Sequence, residues 1–186
     1  MPRSNYTKIF SLLSELSNED EPKDLFQFAE EIREKEIDSF VIFLPGPEPG
    51  SPPTRTFCSD ATIRRLARFA ADLGFVEIDA EKQCSLTSYG ESALREDNYA
   101  TVLATHLAVY LKENAGVTYS EIKNAIDSVQ RPQVPSFDII YGVVTSDREL
   151  QIGEGRFRMV LYLLERCGML TTMIRKVYFA PETQAW

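Results

Sequence analysis

The side chains that most often perform acid–base or metal chemistry are sparse in this sequence. His106 is its one histidine, which excludes a metal cluster or a proton relay that needs two. It lies between Leu103 and Leu107 on the apolar face of a predicted helix. A histidine in that place is typical of a packed core or an interface, so we expect His106 to have a structural role.

Other residue pairs that resemble catalytic motifs lack the context that their chemistry needs. Tyr119 and Lys123 have the Y-x-x-x-K spacing, but no glycine-rich turn between a strand and a helix accompanies them. The Gly-Glu-Gly stretch 153–155 lacks the surroundings of a phosphate-binding loop. The carboxylate pair Glu30–Glu31 lies on an acidic helix that we expect to be exposed. We therefore predict that the protein is not an enzyme and has no catalytic residue, cofactor or bound metal.

The three cysteines, Cys58, Cys84 and Cys167, are odd in number, far apart and never in a C-x-x-C spacing. This argues against a disulfide framework and against a zinc site. Cys58 and Cys84 flank one predicted helix and hairpin, where buried thiols are the expected reading and a redox sensor is the alternative. The first residues contain no apolar segment behind a basic stretch, so we expect a cytoplasmic protein.

The 186 residues are 44% hydrophobic and 26% charged, the composition of a soluble globular protein. This length accommodates one domain or two small ones. No apolar run approaches the roughly 20 residues that cross a bilayer. The net charge of −8 argues against a protein that coats nucleic acid non-specifically.

The charge is uneven along the chain. Residues 15–36 contain nine acidic and three basic side chains, whereas residues 55–74 and 146–176 each have two more basic than acidic side chains. Local charge decides where an anion can bind. The two basic stretches are therefore the candidate anion-binding regions.

A pattern of apolar residues recurs at an offset of 94 residues. The offset aligns Gly74, at the end of one predicted helix, with Gly168 at the end of another, and it aligns Arg64 with Arg158. Few residues are identical, so chance coincidence of helical patterns is the alternative to a repeat. A repeat predicts two units, residues 1–87 and 88–186.

The first predicted unit has three helices followed by a β-hairpin. Apolar residues at helical spacing predict the helices, and short alternating stretches predict the strands. The predicted elements are helices over 6–17 and 22–36 (with Pro22 in the first turn), a strand over 37–44, a proline-rich loop over 45–53, a helix over 59–73, and a hairpin of strands 75–79 and 84–87 around the turn 80–83.

The second predicted unit repeats this order. Thr118 and Glu121 have the spacing of a capping box at a helix start. The fold class is thus mainly α with short β-hairpins (α+β), and a long helix joins the two units. The predicted elements are helices over 88–113 and 118–129, a long connection over 130–153, a helix over 155–167, and a hairpin of strands 169–173 and 175–179.

The stretch 62–78, followed by Leu86-Thr87-Ser88-Tyr89-Gly90, resembles the third helix and wing of winged helix-turn-helix regulators from bacteria and archaea. The resemblance implies that helix 59–73 enters the DNA major groove and that turn 80–83 is the wing. The second unit lacks a leucine–threonine step like Leu86-Thr87 at the end of its predicted hairpin. Both units have a longer link between the second and third helices than the usual turn of three or four residues.

If the third helices enter the major groove and the hairpins act as wings, the basic side chains of both units would contact phosphates or base edges. An ordinary solvated helix face is the alternative interpretation. Glu77, Asp79 and Glu81 in the first wing would repel phosphate. The second wing is therefore the better candidate for a DNA contact. The candidate DNA-binding residues are Arg64, Arg65, Arg68, Lys82, Arg156, Arg158, Arg175 and Lys176.

The acidic tandem winged-helix subunits of SMC-type condensins and defence ATPases, the kite proteins, are similar in size, charge and layout. This resemblance implies a homodimer that also binds a larger partner protein. Aromatic residues such as Phe26, Phe40 and Phe43 suit such interfaces, with core packing as the alternative. We expect an interaction subunit of a DNA-associated assembly, and a dimeric MarR- or ArsR-like transcriptional regulator is the alternative.

Overall fold

The computed structural model describes residues 5–44, 51–95, 98–129 and 136–170. Within these ranges the chain has eight α-helices and two small antiparallel sheets. The predicted α+β class is therefore confirmed. Two compact units are present, Met1–Val102 and Leu103–Trp186, which we call the N-terminal and the C-terminal unit.

The N-terminal unit has three core helices, two small sheets and a short fourth helix. Its elements in chain order are α1 (Asn5–Leu16), β1 (Lys23–Asp24), α2 (Leu25–Glu34), a 3-10 helix (Asp38–Phe40), β2 (Val41–Leu44), β3 (Thr54–Phe57), α3 (Asp60–Asp72), β4 (Val76–Ile78), β5 (Gln83–Leu86) and α4 (Ser88–Leu94), and α5 (Tyr99–Ala115) begins in this unit.

The core of the N-terminal unit lies where α1, α2 and α3 meet. Apolar residues three or four positions apart fall on one face of a helix, so each helix buries one stripe. Ile9 and Leu13 of α1, Phe28 and Ile32 of α2, and Ile63 of α3 are all at most 2% exposed. The three predicted core helices are confirmed, with small changes at their ends.

The predicted start of the second helix at Pro22 is wrong. Lys23 and Asp24 instead form β1, which pairs antiparallel with β5, and the sheet order is β1-β5-β4. Asp24 is then the N-cap of α2, where its carboxylate accepts hydrogen bonds from the backbone N–H groups of Phe26 and Gln27. The predicted hairpin of 75–79 and 84–87 is confirmed as β4 and β5.

The C-terminal unit is helical in its described part. The predicted capping box is confirmed, because Thr118 and Glu121 bond to each other's backbone N–H groups. The predicted second hairpin falls almost entirely on residues 171–179, outside the described residues. The elements of this unit are most of α5, α6 (Tyr119–Asp127), α7 (Phe137–Thr145) and α8 (Glu154–Arg166).

Two further predictions for the second half are wrong. The helix predicted over 88–113 is divided into α4 and α5, because Arg95 has extended backbone (ψ 147°) and ends α4. The connection predicted over 130–153 contains α7, whose first turn is capped by the Ser136 hydroxyl. A short apolar run such as Ile139–Val144 carries no periodicity that separates a helix from other structure.

The helices of the two units begin at the same offset of 94 residues. α1 and α5 begin at Asn5 and Tyr99, α2 and α6 at Leu25 and Tyr119, and α3 and α8 at Asp60 and Glu154. The segment between the second and third helix of this frame differs. It forms the β2–β3 hairpin in the N-terminal unit and α7 in the C-terminal unit.

The third helices also end in the same way. After α3, Gly74 (φ 78°) and Phe75 donate to the carbonyls of Ala71 and Ala70 at 2.8 and 2.9 Å. After α8, Gly168 (φ 77°) and Met169 donate to the equivalent carbonyls of Glu165 and Leu164 at 3.0 and 2.9 Å. Both are Schellman ends, which need a residue that accepts a positive φ, and glycine does so without strain.

Thr87, of the leucine–threonine step Leu86-Thr87, and Gly90 hold α4 against the residues that follow α3. The Thr87 hydroxyl donates to the Gly74 carbonyl at 2.6 Å and accepts from the Gly90 N–H at 3.2 Å. A Cβ at Gly90 would lie 2.3 Å from the Phe75 carbonyl oxygen and 2.7 Å from a methyl carbon of Leu86. Only glycine allows the helix this close approach.

We expect Gly90→Ala to lower the free energy of unfolding by about 2 kcal/mol, because a backbone carbonyl must move. Gly142→Ala is the matched control, since Gly142 is also helical but has nothing within 4 Å of a Cβ. That control should gain up to about 1 kcal/mol from the lower entropy of the unfolded chain. Urea unfolding measures both, and equal stabilities would contradict the close approach.

Arg148 and Glu121 join three segments of the C-terminal unit. The Arg148 guanidinium donates to Glu121 Oε1 at 2.6 Å, to the Gly116 carbonyl at 2.7 Å and to the Val144 carbonyl at 3.1 Å. Hydrogen bonds from the Thr118 backbone N–H and hydroxyl, and then from Arg148, lower the pKa of Glu121 to about 2. The ionised carboxylate is thus the form that the fold stabilises.

Because the folded-state pKa of Glu121 is depressed, its contribution to stability is present above its ordinary pKa near 4.5 and is lost as the pH falls towards 2. We expect Glu121→Gln to cost at most about 1 kcal/mol at pH 7, since the side chain is 41% exposed and solvent screens it. Thermal unfolding of both proteins between pH 2 and 7 should show this difference shrinking at low pH. A constant difference would contradict the assignment.

Candidate interaction surface

The arginines of α3 lie on the side of the helix that faces away from the core. α3 buries Ile63 and Ala67 within its apolar stripe. Arg65 and Arg68 are exposed, and Arg64 is half-buried. All three candidate residues of this helix therefore reach the surface of the N-terminal unit.

Phe26, in the first turn of α2, brings Arg64 and Lys82 together. Its side chain is 43% exposed. The Arg64 guanidinium carbon lies 4.5 Å and the Lys82 ammonium nitrogen 5.1 Å from the centre of the Phe26 ring, both within the range of cation–π attraction. We call these three side chains the Phe26 cluster.

The pairing of β1 with β5 places Phe26 in this cluster. The Leu25 N–H donates to the Lys82 carbonyl at 2.9 Å, directly after the two paired residues of β1. The Asp24 carboxylate then caps α2 through the Phe26 and Gln27 N–H groups. The first turn of α2 is thereby held next to the turn between β4 and β5.

Lys82 has a left-handed backbone conformation, with φ 65°. The Asp79 carbonyl accepts its N–H at 3.1 Å, and the Asp79 carboxylate accepts the Gln83 N–H at 2.7 Å. These bonds hold a conformation that is uncommon for a residue other than glycine. They fix the backbone from which the Lys82 side chain reaches the Phe26 ring.

The two cations of the Phe26 cluster, and Arg68 of α3, lack carboxylate partners within the described part of the chain. Arg64, Arg68 and Lys82 take part in no ion pair there. Four other basic residues of the N-terminal unit do have such partners. These pairs are Lys23 with Glu19 and Glu31, Arg33 with Asp60, Lys35 with Glu15, and Arg55 with Asp38.

Acidic residues flank the same hairpin turn. Glu77, Asp79 and Glu81 are exposed, with Lys82 as the single basic side chain of the hairpin. Three exposed carboxylates beside one ammonium group give this turn a negative surface. The surface around Phe26 is thus basic on the α3 side and acidic along the hairpin.

The equivalent arginine of the C-terminal unit is neutralised. Arg158, 94 residues after Arg64, lies 3.0 Å from Glu154 and 3.7 Å from Asp138. Its guanidinium carbon is also 3.9 Å from the centre of the Phe137 ring. Arg156 is half-buried. Of the remaining candidates, Arg175 and Lys176 lie outside the described residues.

Exposed apolar residues also occur in the two segments that join the second and third helices of each unit. Sequence reasoning named Phe43 as an interface candidate but missed Leu44 and Val143. Phe43 and Leu44 of β2 are 41% and 37% exposed, and Val143 of α7 is 46% exposed. β3 was not predicted, and its pairing with β2 aligns Phe43 with Arg55. The aromatic and β-branched stretch 37–44 did indicate a strand, but a single stretch does not identify its partner.

The cysteines are not in a form that reacts readily. Cys58 and Cys84 are buried and Cys167 is half-buried. Burial raises the pKa of the Cys84 thiol to about 11 and that of Cys167 to about 12. Both are protonated thiols at neutral pH, whereas the reactive form is the thiolate.

The other residues weighed for catalysis are engaged in local contacts. The Tyr119 hydroxyl donates to the Met169 carbonyl, and Lys123 pairs with Asp127 at 3.2 Å. A hydrogen bond from Lys23 lowers the pKa of Glu31. His106 is half-buried in α5. No group of three potential metal ligands is found among the described residues.

No family model, curated protein or solved structure matches the chain. In the ranges that the structure describes, none of the helices combines the length and apolar character that a membrane crossing requires.

Proposed function

We propose that the protein is a cytoplasmic, non-enzymatic interaction subunit of a DNA-associated assembly, built from two winged-helix units and bound to an SMC- or ATPase-type partner. The N-terminal unit supports this through its order of helix, strand, helix, hairpin, helix and hairpin, with β1 paired to strand β5 of the second hairpin. The recurrence of the three helix starts after 94 residues supports a second unit on the same frame.

The observation that carries the proposal is the pair of inserted segments. In a helix-turn-helix that reads DNA, three or four residues join the second and third helices. Here the β2–β3 hairpin separates α2 from α3, and α7 separates α6 from α8. Both insertions expose large apolar side chains, Phe43 and Leu44 in one and Val143 in the other. Exposed apolar groups at matching places favour contact with a protein.

The second candidate is a dimeric DNA-binding regulator. Arg64, Arg68 and Lys82 favour it, because they are the cations of α3 and its hairpin that have no carboxylate partner in the described chain. The acidic hairpin and the net charge of −8 weigh against it. In this proposal the α3 arginines do not read an operator.

The proposal predicts that Phe43→Ser/Leu44→Ser lowers capture of the ATPase-type partner from native cells by about tenfold, as expected when an apolar anchor is lost. Tyr89→Ser is the matched control, because Tyr89 is 59% exposed but lies in α4, outside the insertions. It should capture as much partner as the unaltered chain. Quantitative mass spectrometry of tagged chains measures the captured amounts.

Equal capture by both variants would contradict the proposal. Binding to mixed duplex DNA is measured by polarisation at about 50 and 200 mM salt. Submicromolar binding that is abolished in Arg64→Ala/Arg65→Ala/Arg68→Ala would also contradict the proposal. Each neutralised phosphate contributes about 0.9 to the slope of log affinity against log salt. A slope of several units would favour the regulator.

A further inference from the structure

The Phe26 cluster has no anionic partner in the described N-terminal unit. An exposed aromatic ring with two cations against it combines apolar area with positive charge, and both aromatic residues and arginine are enriched at protein interfaces. At the equivalent place in the C-terminal unit, Arg158 is neutralised by Glu154 and Asp138. The Arg64 guanidinium, in contrast, is available to a carboxylate of another molecule.

A segment of opposite charge lies directly beside the cluster. The turn Asn18–Glu21, which we call the acidic turn, precedes β1, and within the described residues its exposed Asp20 and Glu21 take part in no ion pair. The acidic turn and Gln83, the neighbour of Lys82, line one open crevice of about 540 Å³. Unpaired acids and unpaired cations therefore lie next to each other on one surface.

We propose that the Phe26 cluster of one copy binds the acidic turn of a second copy, so that the N-terminal units form a two-fold symmetric dimer. In such a contact each patch meets the other patch of the partner, which requires a surface that carries both charges. The two charged contacts are equivalent, and Phe26 adds apolar area to each. This inference rests on the proposed function and names a second copy as one partner of the interaction subunit.

Duplex DNA is the competing occupant of the same cations. The exposed carboxylates Glu77, Asp79 and Glu81 lie along the hairpin and would face the phosphates. The acidic turn, which lines a crevice together with Gln83, adds to that repulsion. A carboxylate-bearing turn of a second copy needs only the few cations around Phe26, so the observations favour the protein contact.

Exchanging the charges of the two patches tests this contact. Variant one is Arg64→Glu/Lys82→Glu, and variant two is Asp20→Lys/Glu21→Lys. Each alone places like charges opposite each other and should weaken dimerisation by about a hundredfold. An equimolar mixture of the two variants restores opposite charges at both contacts and should dimerise again. Arg95→Glu/Lys112→Glu makes the same change in net charge as variant one, at exposed positions outside both patches, and should dimerise normally.

Sedimentation velocity of the full chain at 50 and 500 mM NaCl measures the dimer. The expected result is a species of twice the chain mass that weakens with salt, is lost in either variant and returns in the mixture. A monomeric chain, or a mixture that stays monomeric, would overturn the inference. If such a monomer still captures its partner through Phe43 and Leu44, only this inference fails and the proposed function stands. Duplex binding that depends on Arg64 and Lys82 in a monomer would also overturn it.

Discussion

The two-residue pairing of β1 with β5 is the contact on which the surface of the N-terminal unit depends. The segment after α1 leads into β1, and Asp24 of β1 is the N-cap of α2. The next residue, Leu25, donates its N–H to the Lys82 carbonyl. These hydrogen bonds hold the first turn of α2, with Phe26, next to the turn that carries Lys82. A short β contact thus decides where an exposed aromatic ring meets two cations.

The two units use one helical frame for different surfaces. Helix starts and the two glycine-ended helices coincide after 94 residues, while a hairpin occupies one insertion and α7 the other. The charged partners of the equivalent arginines also differ between the two units. Arg158 is held by two carboxylates and an aromatic ring, whereas Arg64 contacts a ring alone. Core packing constrains the frame, and the insertions and charges give each unit its own contacts.

Local signals made much of this fold predictable. Ser59, Thr118 and the glycines after α3 and α8 mark helix ends, because each satisfies backbone groups within a few residues. β1 could not be predicted, since two residues carry no periodicity and their partner β5 lies far along the chain. The basic residues of α3 were identified from sequence, but the contact of Arg64 and Lys82 with Phe26 depends on that same distant pairing. α7 was missed because its apolar run fits more than one structure.

The most direct test of the account is the proton NMR spectrum of the Lys82 and Arg64 side chains, compared between the unaltered chain and Phe26→Leu. Protons above an aromatic ring are shifted upfield by its ring current, and leucine keeps the apolar bulk without that current. The account predicts upfield-shifted methylene signals of Lys82 and Arg64 that return to ordinary values in Phe26→Leu. Identical shifts in the two proteins would show that the cluster does not form, and would contradict the account.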